Sequence, residues 1–303
     1  MAVADAVRIS NADKVLYPAT GFTKGQVVDY YRAVAAVLVP HLRGRALTLR
    51  RFPDGVDGES FFEKRCPSHA PKWVRRVEVA RSSGPPYQAC AVDDADTLVW
   101  LANLAALELH PSLALADDPE RPTTMVFDLD PGAPAGIAQC AEVACALREL
   151  LAQLELASSP KTSGSKGLQV YVPLNSAVDF DTTKLLSHTL GMILEKQLRR
   201  LVVTTMAKQD RPGKIFIDWS QNDRAKTTVS VYSLRARAEP NVSTPLSWDE
   251  VESAVGTDGG ALRFGPDEVL ERVEKRGDLF SDVAELRQAL PDEVVHLLAT
   301  GAP

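Results

Sequence analysis

Three long stretches of helical periodicity alternate along this chain with short β-type runs, and this alternation limits the possible folds more than any other feature of the sequence. The helical stretches, in which apolar residues recur at spacings of three and four, are 24–42, 137–156 and 182–201. The β-type runs are 47–52, 125–130, 168–173, 215–219 and 227–232, together with a weaker run at 98–101 that also suits a helix. Short strands among long helices predict an α/β or α+β fold built on a central sheet.

The connections between these elements are short, and the sequence contains no internal repeat. We therefore predict a single domain over residues 1–303. Residues 244–303 are polar apart from one amphipathic stretch at 266–276, and we expect this segment to pack on the periphery of the domain.

Composition excludes several classes of protein. Of the 303 residues, 45% are hydrophobic and 24% are charged, which excludes a wholly disordered or collagen-like chain. No apolar run approaches the roughly 18–20 residues that a membrane span requires, and residues 1–5 lack the pattern of a signal peptide. We expect a soluble, cytoplasmic protein. The cysteines Cys66, Cys90, Cys140 and Cys145 form no C-x-x-C pair, so the sequence favours neither a zinc site nor a disulfide framework.

The net charge is −6, but positive charge is concentrated in two segments. Residues 43–81 carry ten Lys and Arg against five Asp and Glu, and residues 199–237 carry nine against three. If the two segments meet in the fold, they form a basic face of the kind that binds a polyanion. If they do not meet, they are two separate solvated surfaces, and charge alone does not decide between these interpretations.

The sharpest local feature is residues 126–132, VFDLDPG. In a strand, Phe127 and Leu129 face one side while Asp128 and Asp130 face the other. Two carboxylates on one face repel each other unless a cation lies between them, and their oxygens suit Mg²⁺ or Mn²⁺. Asp-x-Asp is also a common tripeptide in solvated turns. Other residues of the sequence must therefore distinguish a metal site from such a turn.

A second acidic strand and a glycine-rich loop favour the metal site. Asp218 lies in the otherwise apolar run 215–219, where a carboxylate is costly unless it is paired or binds a metal. Residues 162–167, TSGSKG, could bind phosphates through backbone N–H groups, hydroxyls and Lys166, although taken alone a flexible turn explains them better. Together with the nearby Arg211, the three carboxylates and this loop indicate two-metal phosphoryl transfer.

A set of motifs in collinear order resembles the polymerase domain of bacterial ligase D, a member of the archaeo-eukaryotic primase superfamily. The motifs are 11–18 (NADKVLYP), 44–45 (GR), 61–64 (FFEK), 108–110 (ELH), 127–132 (FDLDPG), 163–168 (SGSKGL), 218–222 (DWSQN) and 232–235 (YSLR). The resemblance extends from about residue 9 to residue 283. It implies an α+β fold with a primase-type core of mixed central sheets flanked by helices, on which an N-terminal subdomain of helices and strands packs.

The resemblance also implies a function. Such a protein would be a template-dependent polymerase that adds ribonucleotides or deoxyribonucleotides at double-strand breaks or short gaps in DNA, with two Mn²⁺ or Mg²⁺ ions. Because a ligase or nuclease module does not fit in 303 residues, the chain is similar to a stand-alone primase-polymerase. Its expected partners are gapped or broken DNA, NTPs and dNTPs, with Ku and a separate DNA ligase as further candidates, and its expected location is the nucleoid.

Individual roles follow from the resemblance as expectations. Asp128, Asp130 and Asp218 would be the catalytic residues that hold the two metal ions. The residues expected to bind the incoming nucleotide are Arg50, His110, Ser163, Ser165, Lys166, Gln169, Arg211 and Arg235. The expected DNA-binding residues are Lys14 and Lys24 at a 5′-phosphate, Phe61 and Phe62 stacked on the template, and Gln221, Asn222 and Lys226 at other DNA contacts.

Gln169 departs from the family pattern, which has a histidine at this position. Strand alternation places Gln169 on the same side as Tyr171, toward the site. Glutamine can donate a hydrogen bond to a phosphate but carries no positive charge near neutral pH. Two alternatives to a repair polymerase therefore stay open. One is a catalytically weakened module that binds 5′-phosphorylated DNA ends, and the other is an unrelated metal-dependent phosphotransferase or nuclease, which only Asp-x-Asp favours.

Overall fold

The structure is a computed structural model that describes residues 7–81 and 83–300, so the sequence pattern of residues 1–5 lies outside it. The strands are β1 (Val15–Tyr17), β2 (Phe22–Thr23), β3 (Leu47–Arg51), β4 (Phe61–Glu63), β5 (Arg76–Val79), β6 (Tyr87–Cys90), β7 (Ala106–Pro111), β8 (Ala114–Leu115), β9 (Asp118–Pro122), β10 (Thr124–Pro131), β11 (Ser159–Thr162), β12 (Leu168–Pro173), β13 (Val202–Val203), β14 (Ile215–Asp218), β15 (Leu234–Ala236) and β16 (Pro240–Val242). The α-helices are α1 (Lys24–Leu42), α2 (Ala95–Asn103), α3 (Ile137–Gln153), α4 (Phe180–Gln197), α5 (Trp248–Ala254), α6 (Pro266–Arg276), α7 (Ser281–Glu285) and α8 (Asp292–Thr300).

The chain folds into two compact units, a division that the sequence pattern did not indicate. The first unit consists of Met1–Asp117, Thr227–Ser243 and Phe264–Asp278. The second consists of Asp118–Lys226, Thr244–Arg263 and Leu279–Pro303. Each unit combines helices with a five-stranded sheet, which confirms the predicted α+β class.

In the first unit, β3 is the central strand of an antiparallel sheet. It pairs with β4, β6 and β7, and β6 pairs with β5. Helix α1 packs against α2 and α6, and its Tyr31 and Leu38 are fully buried. Thr23 begins α1 with a capping box in which Gln26 is the partner.

In the second unit, the sheet has the strand order β11-β12-β10-β14-β13. All its pairs are antiparallel except β13 with β14. Helices α3 and α4 pack on β10, whose Phe127 and Leu129 are fully buried, as are Val170 on β12 and Ile217 on β14. The sheet therefore has a solid apolar face beneath β10 and leaves its polar residues to the other face.

Two of the predicted β-type runs are not strands. Residues 98–101 belong to helix α2, which Asp94 caps by accepting a hydrogen bond from the backbone of Thr97. Residues 227–232 are buried but irregular, because Ser230 donates its N–H to Leu109 and Tyr232 has a φ of 62°. The other predicted helices and strands are present, with ends that differ by a few residues.

Residues 244–303 do not simply pack on the periphery. The segment is divided between the two units, and Thr244, Val251 and Val269 are fully buried. Val251 on α5 and Val269 on α6 are isolated apolar residues on short helices, and such a pattern is easily hidden in a polar segment.

Two further observations concern the expectations from composition. Cys66 and Cys90 are joined in a disulfide, which corrects the expectation that the cysteines form none. The pairing depends on the approach of β6 to the segment that follows β4, which cysteine spacing could not show. None of the helices within residues 7–81 and 83–300 is long and apolar enough to span a membrane.

Candidate active site

Strand β10 presents two aspartates on one face. Asp128 is half-buried and Asp130 is exposed, whereas Phe127 and Leu129 between them are fully buried on the other face. The structure therefore confirms the predicted arrangement, in which the two aspartates face one side of the strand and the two apolar residues face the other.

Four polar side chains form a line across the sheet, which we call the cross-strand row. Lys161 on β11 is opposite Gln169 on β12, Gln169 is opposite Asp128 on β10, and Asp128 is opposite Asp218 on β14. Residues directly opposite in antiparallel strands have their Cβ atoms about 4.5–5.5 Å apart on one face. The row thus joins residues that are up to 90 positions apart in the sequence.

The row makes Asp128 difficult to ionise. Burial raises the pKa of Asp128 to about 7, and the negative charges of Asp130 and Asp218 act in the same direction. A hydrogen bond from Gln169 and the positive charge of the fully buried Lys161 lower it, but they do not offset the rest. The surroundings of Asp128 therefore favour its neutral form, because burial and the two neighbouring carboxylates outweigh the positive charge of Lys161.

Asp218 is held in place by the turn that follows β14. Its Oδ1 accepts hydrogen bonds from the backbone N–H and the hydroxyl of Ser220, and its Oδ2 accepts one from Gln221 Nε2 at 3.1 Å. Lys226 donates in turn to the Ser220 hydroxyl. Lys226, Ser220 and Asp218 thus form a chain of hydrogen bonds.

Gln169 has one polar atom without a partner. Its side-chain amide donates to Asp128, and its carbonyl oxygen Oε1 is buried with no hydrogen-bond partner in the described part of the chain. Buried polar atoms are nearly always paired, so an orphan acceptor indicates a missing donor or cation. The N–H group that we expected to donate to a phosphate is hydrogen-bonded to Asp128 instead, and the atom left over suits a cation or its bound water.

The loop at residues 162–167 lies against β10. A Cβ atom on Gly167 would be 2.1 Å from the carbonyl oxygen of Leu129, so glycine alone permits this approach. The Ser163 hydroxyl accepts from the backbone N–H groups of Ser165 and Gly167, at 3.3 and 3.2 Å, and Lys166 is exposed. The loop is therefore closed by its own serine and brings an exposed lysine to the strand of the two aspartates.

Arg211 lies beside the same strand end. A Cβ atom on Gly132 would be 2.1 Å from the carbonyl oxygen of Arg211, which fixes the backbone of Arg211 against the end of β10. Its guanidinium lies 3.6 Å from the ring centroid of Phe216, the residue opposite Asp130. Its Nε is buried without a hydrogen-bond partner among the described residues.

The donor set of the row fits a hard divalent cation. The row offers carboxylates at Asp128 and Asp218 and an unpaired amide oxygen at Gln169, and Asp130 adds a third carboxylate on the same strand face as Asp128. Oxygen ligands of this kind are those that Mg²⁺ and Mn²⁺ bind. Within the described ranges, no three acidic, His or Cys side chains are already arranged around one point for a metal ion. Binding at Asp218 would therefore require its carboxylate to release or share the bonds from Ser220 or Gln221.

The first unit contains a different cluster, which is organised by Glu108 on β7. Its Oε1 accepts from Arg235 Nε at 3.2 Å and from the Ala236 N–H at 3.1 Å. Its Oε2 lies 3.0 Å from His110 Nε2 and 3.7 Å from Arg50 Nη1. Three residues that we predicted from the sequence as nucleotide ligands therefore share one buried carboxylate.

Positive charge is in excess around Glu108. Arg237 also belongs to the cluster, because partial burial and the charge of Arg235 lower the pKa of its guanidinium. Burial lowers the pKa of His110 in spite of the neighbouring Glu108. With His110 neutral, three arginines face one carboxylate, and such an excess suits a polyphosphate or another anion.

Comparison with known proteins assigns the family. A family model described as "LigD, primase-polymerase domain" matches residues 23–280. The chain belongs to the LigD primase-polymerase family. The fold agrees, because the polymerase domain of Mycobacterium tuberculosis ligase D in complex with DNA matches with a TM-score of 0.86 at 42% identity, over 94% of this chain and 100% of that one. The expected primase-type fold is thereby confirmed.

Curated relatives are longer than this chain. A multifunctional non-homologous end joining protein LigD of Mycolicibacterium smegmatis is 44% identical over 91% of this chain and 36% of its own length. A bifunctional non-homologous end joining protein LigD of Bacillus subtilis is 31% identical over 91% of this chain and 44% of its own length. The chain thus spans less than half the length of these relatives.

Two lysines lie together in this member of the LigD primase-polymerase family. Lys24 is 6% exposed and donates to Ser10 Oγ at 3.1 Å, and Lys14 pairs with Asp54 at 2.9 Å. Burial and then the charge of Lys14 lower the pKa of Lys24, so the two ammonium groups are close enough to repel. An anion would relieve this repulsion.

The aromatic pair on β4 is exposed. Phe61 is 44% and Phe62 is 59% exposed, although they point to opposite faces of the strand. Arg51 lies over the ring of Phe61 at 5.3 Å, and Arg50 lies over the ring of Phe62 at 5.4 Å. Phe62 also packs edge-on against His110, with ring centroids 5.8 Å apart. Both rings remain available for stacking.

Asn222 is not available for contact with DNA, contrary to our expectation. It is fully buried, and its amide exchanges hydrogen bonds with the backbone N–H and C=O of Val126, at 2.8 and 2.7 Å. It also donates to Ser187 Oγ at 3.0 Å. Asn222 therefore fixes the strand that carries the aspartates, while Gln221 and Lys226 belong to the network of Asp218.

The sequence pattern assigned no role to three residues of these clusters: Lys161, Glu108 and Arg237. Glu108 lies between Leu107 and Leu109, the same signal that marks Asp218, whereas Lys161 lies between Pro160 and Thr162 and lacks it. Arg237 lies beyond the short strand β15, and nothing in its sequence neighbourhood distinguishes it.

Proposed function

We propose that this chain is a template-dependent nucleotidyltransferase that fills gaps or extends ends in DNA during the repair of strand breaks, by two-metal phosphoryl transfer. The observation that carries the proposal is the cross-strand row, which brings Asp218 opposite Asp128, with Asp130 on the same strand face. The family supports the polymerase activity, since a solved relative is a polymerase domain in complex with DNA.

In this mechanism Asp128, Asp130 and Asp218 hold two Mn²⁺ or Mg²⁺ ions. When bound, such ions neutralise the phosphates and activate the attacking and leaving oxygens of an in-line displacement. Asn222 holds β10 in place through the backbone of Val126, and Ser220 and Gln221 orient the Asp218 carboxylate. These contacts fix the carboxylates before substrate arrives, which is the main contribution of a protein to phosphoryl transfer.

Positive and hydroxyl groups would bind the incoming nucleotide. Lys166 and Ser163 of the glycine-rich loop and Arg211 lie beside the strand of the aspartates. Arg50 and Arg235, with the additional Arg237, supply the excess positive charge around Glu108. We assign His110 to the sugar of the nucleotide, and we expect ribonucleotides to be incorporated at least as well as deoxyribonucleotides.

DNA would be recognised by the other two groups. Lys14 and Lys24 bind the 5′-phosphate at the far side of a gap, and Phe61 and Phe62 stack on the template end. Stacking on an aromatic ring tolerates any base, which suits a contact with the template that is independent of sequence. Ku and a separate DNA ligase are further candidate partners, on the ground that curated relatives are named as end-joining proteins.

The deciding experiment is primer extension on a gapped duplex with a 5′-phosphate, Mn²⁺ and all four nucleotides. Template-directed extension supports the proposal. Degradation of the DNA instead would show a nuclease.

A second candidate function is a DNA-end-binding module with weak or no catalysis. Gln169 favours it, since this residue brings an unpaired acceptor to the row where the family pattern has histidine. Tight binding without extension would support this candidate. In either case, removal of the 5′-phosphate should weaken binding by about tenfold or more, since a charge-assisted contact contributes about 1.5–3 kcal/mol before screening. The Lys14→Ala/Lys24→Ala variant should not respond to that phosphate.

A further inference from the structure

Glu108 has no role in the proposed reaction as it stands, yet it contacts three of the groups assigned to the nucleotide. Its side chain is 2% exposed, and each of its oxygens has its own set of donors. Oε1 serves Arg235 and the backbone of Ala236, whereas Oε2 serves His110 and Arg50. The oxygen that faces His110 and Arg50 is thus distinct from the oxygen that faces Arg235 and Ala236.

Glu108 is ionised at neutral pH and can only accept hydrogen bonds. Burial alone would raise its pKa, but the hydrogen bond from His110, the charge of Arg235 and the backbone of Ala236 lower the pKa to about 2. A carboxylate has no proton to donate. The His110 nitrogen that faces Glu108, Nε2, must therefore carry the proton in this contact.

The neutral ring then presents an acceptor on its other side. Burial lowers the pKa of His110, so the ring carries one proton, and Nε2 holds it. The remaining nitrogen, Nδ1, has a lone pair and no hydrogen-bond partner within residues 7–81 and 83–300. An imidazole with a fixed tautomer distinguishes a group that donates from one that only accepts.

We propose that Glu108 is a positioning residue for sugar selection: it fixes His110 as a hydrogen-bond acceptor at Nδ1, so that His110 selects an incoming nucleotide whose 2′-substituent can donate a hydrogen bond. The inference rests on the proposed function for the assignment of His110 to the sugar. It adds what that assignment leaves open, namely which partner of the hydrogen bond donates and which residue decides this.

The polarity of the contact can be read with 2′-substituted nucleotides. A hydroxyl and an amino group both donate, a fluorine is of similar size to a hydroxyl but only accepts, and a hydrogen does neither. Wild-type chain should therefore bind ATP and 2′-amino-ATP about three- to tenfold more tightly than 2′-fluoro-ATP and dATP, the range expected for one neutral hydrogen bond. A pocket that merely measures size would group 2′-fluoro-ATP with ATP.

The Glu108→Gln variant should reverse the tautomer. Arg235 and the Ala236 N–H both donate toward Oε1, so the amide oxygen of the glutamine belongs on that side and its NH₂ group faces His110. His110 must then accept at Nε2 and carry its proton on Nδ1. A donor at Nδ1 no longer rejects fluorine, so the preference for ATP over 2′-fluoro-ATP should shrink to within about twofold.

Glu63→Gln is the matched control. Glu63 is likewise a carboxylate in the sheet of the first unit, paired with Arg51 at 3.1 Å, but it makes no contact with His110. This change should leave the preference for ATP over 2′-fluoro-ATP as in the wild type.

Two measurements on the full chain test the inference. Nitrogen-15 NMR of labelled histidine, with His110→Gln to assign the signal, should show a neutral ring protonated at Nε2 in the wild type and at Nδ1 in Glu108→Gln. Calorimetry without a primer, so that no transfer occurs, should give the binding order of the four nucleotides stated above.

A wild-type proton on Nδ1, a charged ring at pH 8, or equal binding of ATP and 2′-fluoro-ATP would overturn the inference, and none of these depends on whether a variant folds. Lack of primer extension with the predicted binding order intact would refute the polymerase proposal and support this one. Primer extension together with an equal loss of ATP and 2′-fluoro-ATP affinity in Glu108→Gln would support the polymerase proposal and refute this inference.

Discussion

Glu108 is buried and Asp128 is half-buried, and the chain gives these two carboxyl groups opposite surroundings. Glu108 is contacted by Arg235, His110 and Arg50, and its pKa is lowered to about 2. Asp128 is next to Asp130 and Asp218, and its pKa is raised to about 7. Burial opposes ionisation at both positions, so the difference comes from the neighbours.

The comparison separates two uses of a carboxylate. At Glu108 the chain supplies its own cations, and the negative charge of Glu108 holds side chains that would bind the incoming nucleotide. At Asp128 the chain supplies further carboxylates, and the buried Lys161 is the cation that lowers the pKa of Asp128. Because Lys161 does not neutralise all of these carboxylates, their excess negative charge can bind a cation from solution. A strongly raised acid pKa beside other acids is a sign of a functional site, whereas a strongly lowered one is equally common in structural ion pairs.

The sharpest test of the comparison is activity after loss of each acid. Asp128→Asn, Asp130→Asn and Asp218→Asn should each reduce nucleotide incorporation by roughly 10³-fold or more, because charge neutralisation provides most of the rate in phosphoryl transfer. Binding of gapped duplex should largely persist. Incorporation kinetics and fluorescence anisotropy measure the two quantities.

Asp181→Asn, which removes an exposed aspartate in the first turn of α4, is the control and should change neither quantity. Loss of DNA binding or of folding in all three variants would contradict the metal assignment. Retention of incorporation in Asp130→Asn would remove that residue from the set.

The second prediction concerns stability and pH in the absence of metal. Since the folded pKa of Glu108 is about 2 against an ordinary value of 4.5, its contribution is complete above about pH 4.5 and is lost as the pH falls toward 2. Since the folded pKa of Asp128 is about 7 against 3.8, ionisation of Asp128 costs stability as the pH rises from about 4 to 7. These shifts correspond to about 3 kcal/mol for Glu108 and about 4 kcal/mol for Asp128.

Urea unfolding in EDTA across pH 3–8 measures both slopes. Asp128→Asn should remove the fall in stability between pH 4 and 7, and Glu108→Gln should remove part of the loss at the acidic end. Identical pH profiles in the wild type and in Asp128→Asn would show that the neighbours of Asp128 do not act as described.

The third prediction concerns the removal of Lys161, the positively charged member of the cross-strand row. Lys161→Met should raise the pKa of Asp128 further, so that a metal ion must displace a proton more often and Mn²⁺ affinity falls by roughly three- to thirtyfold near neutral pH. Methionine has a similar length, and a buried ion is often replaced by an apolar residue without loss of stability. Titration of Mn²⁺ by electron paramagnetic resonance measures the affinity.

The exposed Lys196 of α4 provides the control, since Lys196→Met removes the same charge away from the row. Recovery of Lys161→Met at higher pH is expected, because Asp128 is then ionised without help. Unchanged Mn²⁺ affinity would mean that Lys161 serves folding alone.

The parts of the molecule that the sequence predicted are those with a local pattern. Strand β10 combines alternation with a Pro-Gly stop, and α1 combines a cap with a long apolar face. The cross-strand row depends on register between strands far apart in the chain, which local pattern does not contain. The sequence therefore points to Asp128 and Asp218 as members of one site, but their position directly opposite each other could not be predicted.

The errors have the same origin. The resemblance to the family implies a DNA contact at Asn222, whereas its side chain binds both backbone groups of Val126. The run 227–232 has alternating valines, but Tyr232 leaves the extended region and the backbone groups find partners outside a ladder. In both cases tertiary hydrogen bonds override what the local sequence favours.

The smallest expected effect is at Gln169, where the cross-strand row differs from the family pattern. Its amide N–H is committed to Asp128, and the unpaired Oε1 cannot receive anything from a phosphate oxygen, which is itself an acceptor. A histidine at this position could donate to Asp128 from one nitrogen and, when protonated among the carboxylates, donate to a phosphate from the other. Gln169→His should therefore lower the KM for the nucleotide by up to about tenfold, with kcat and DNA affinity nearly unchanged.

Gln169→Leu separates the two ends of the amide, because it removes the hydrogen bond to Asp128 and the orphan oxygen together. If the oxygen serves a cation or its water, this variant should need more Mn²⁺ for half-maximal incorporation, whereas Gln169→His should not. Steady-state kinetics at several Mn²⁺ concentrations measure both effects. An unchanged KM in Gln169→His would indicate that Arg211 and Lys166, which lie beside the same strand, already satisfy the phosphates, and the residue would then matter through Asp128 alone.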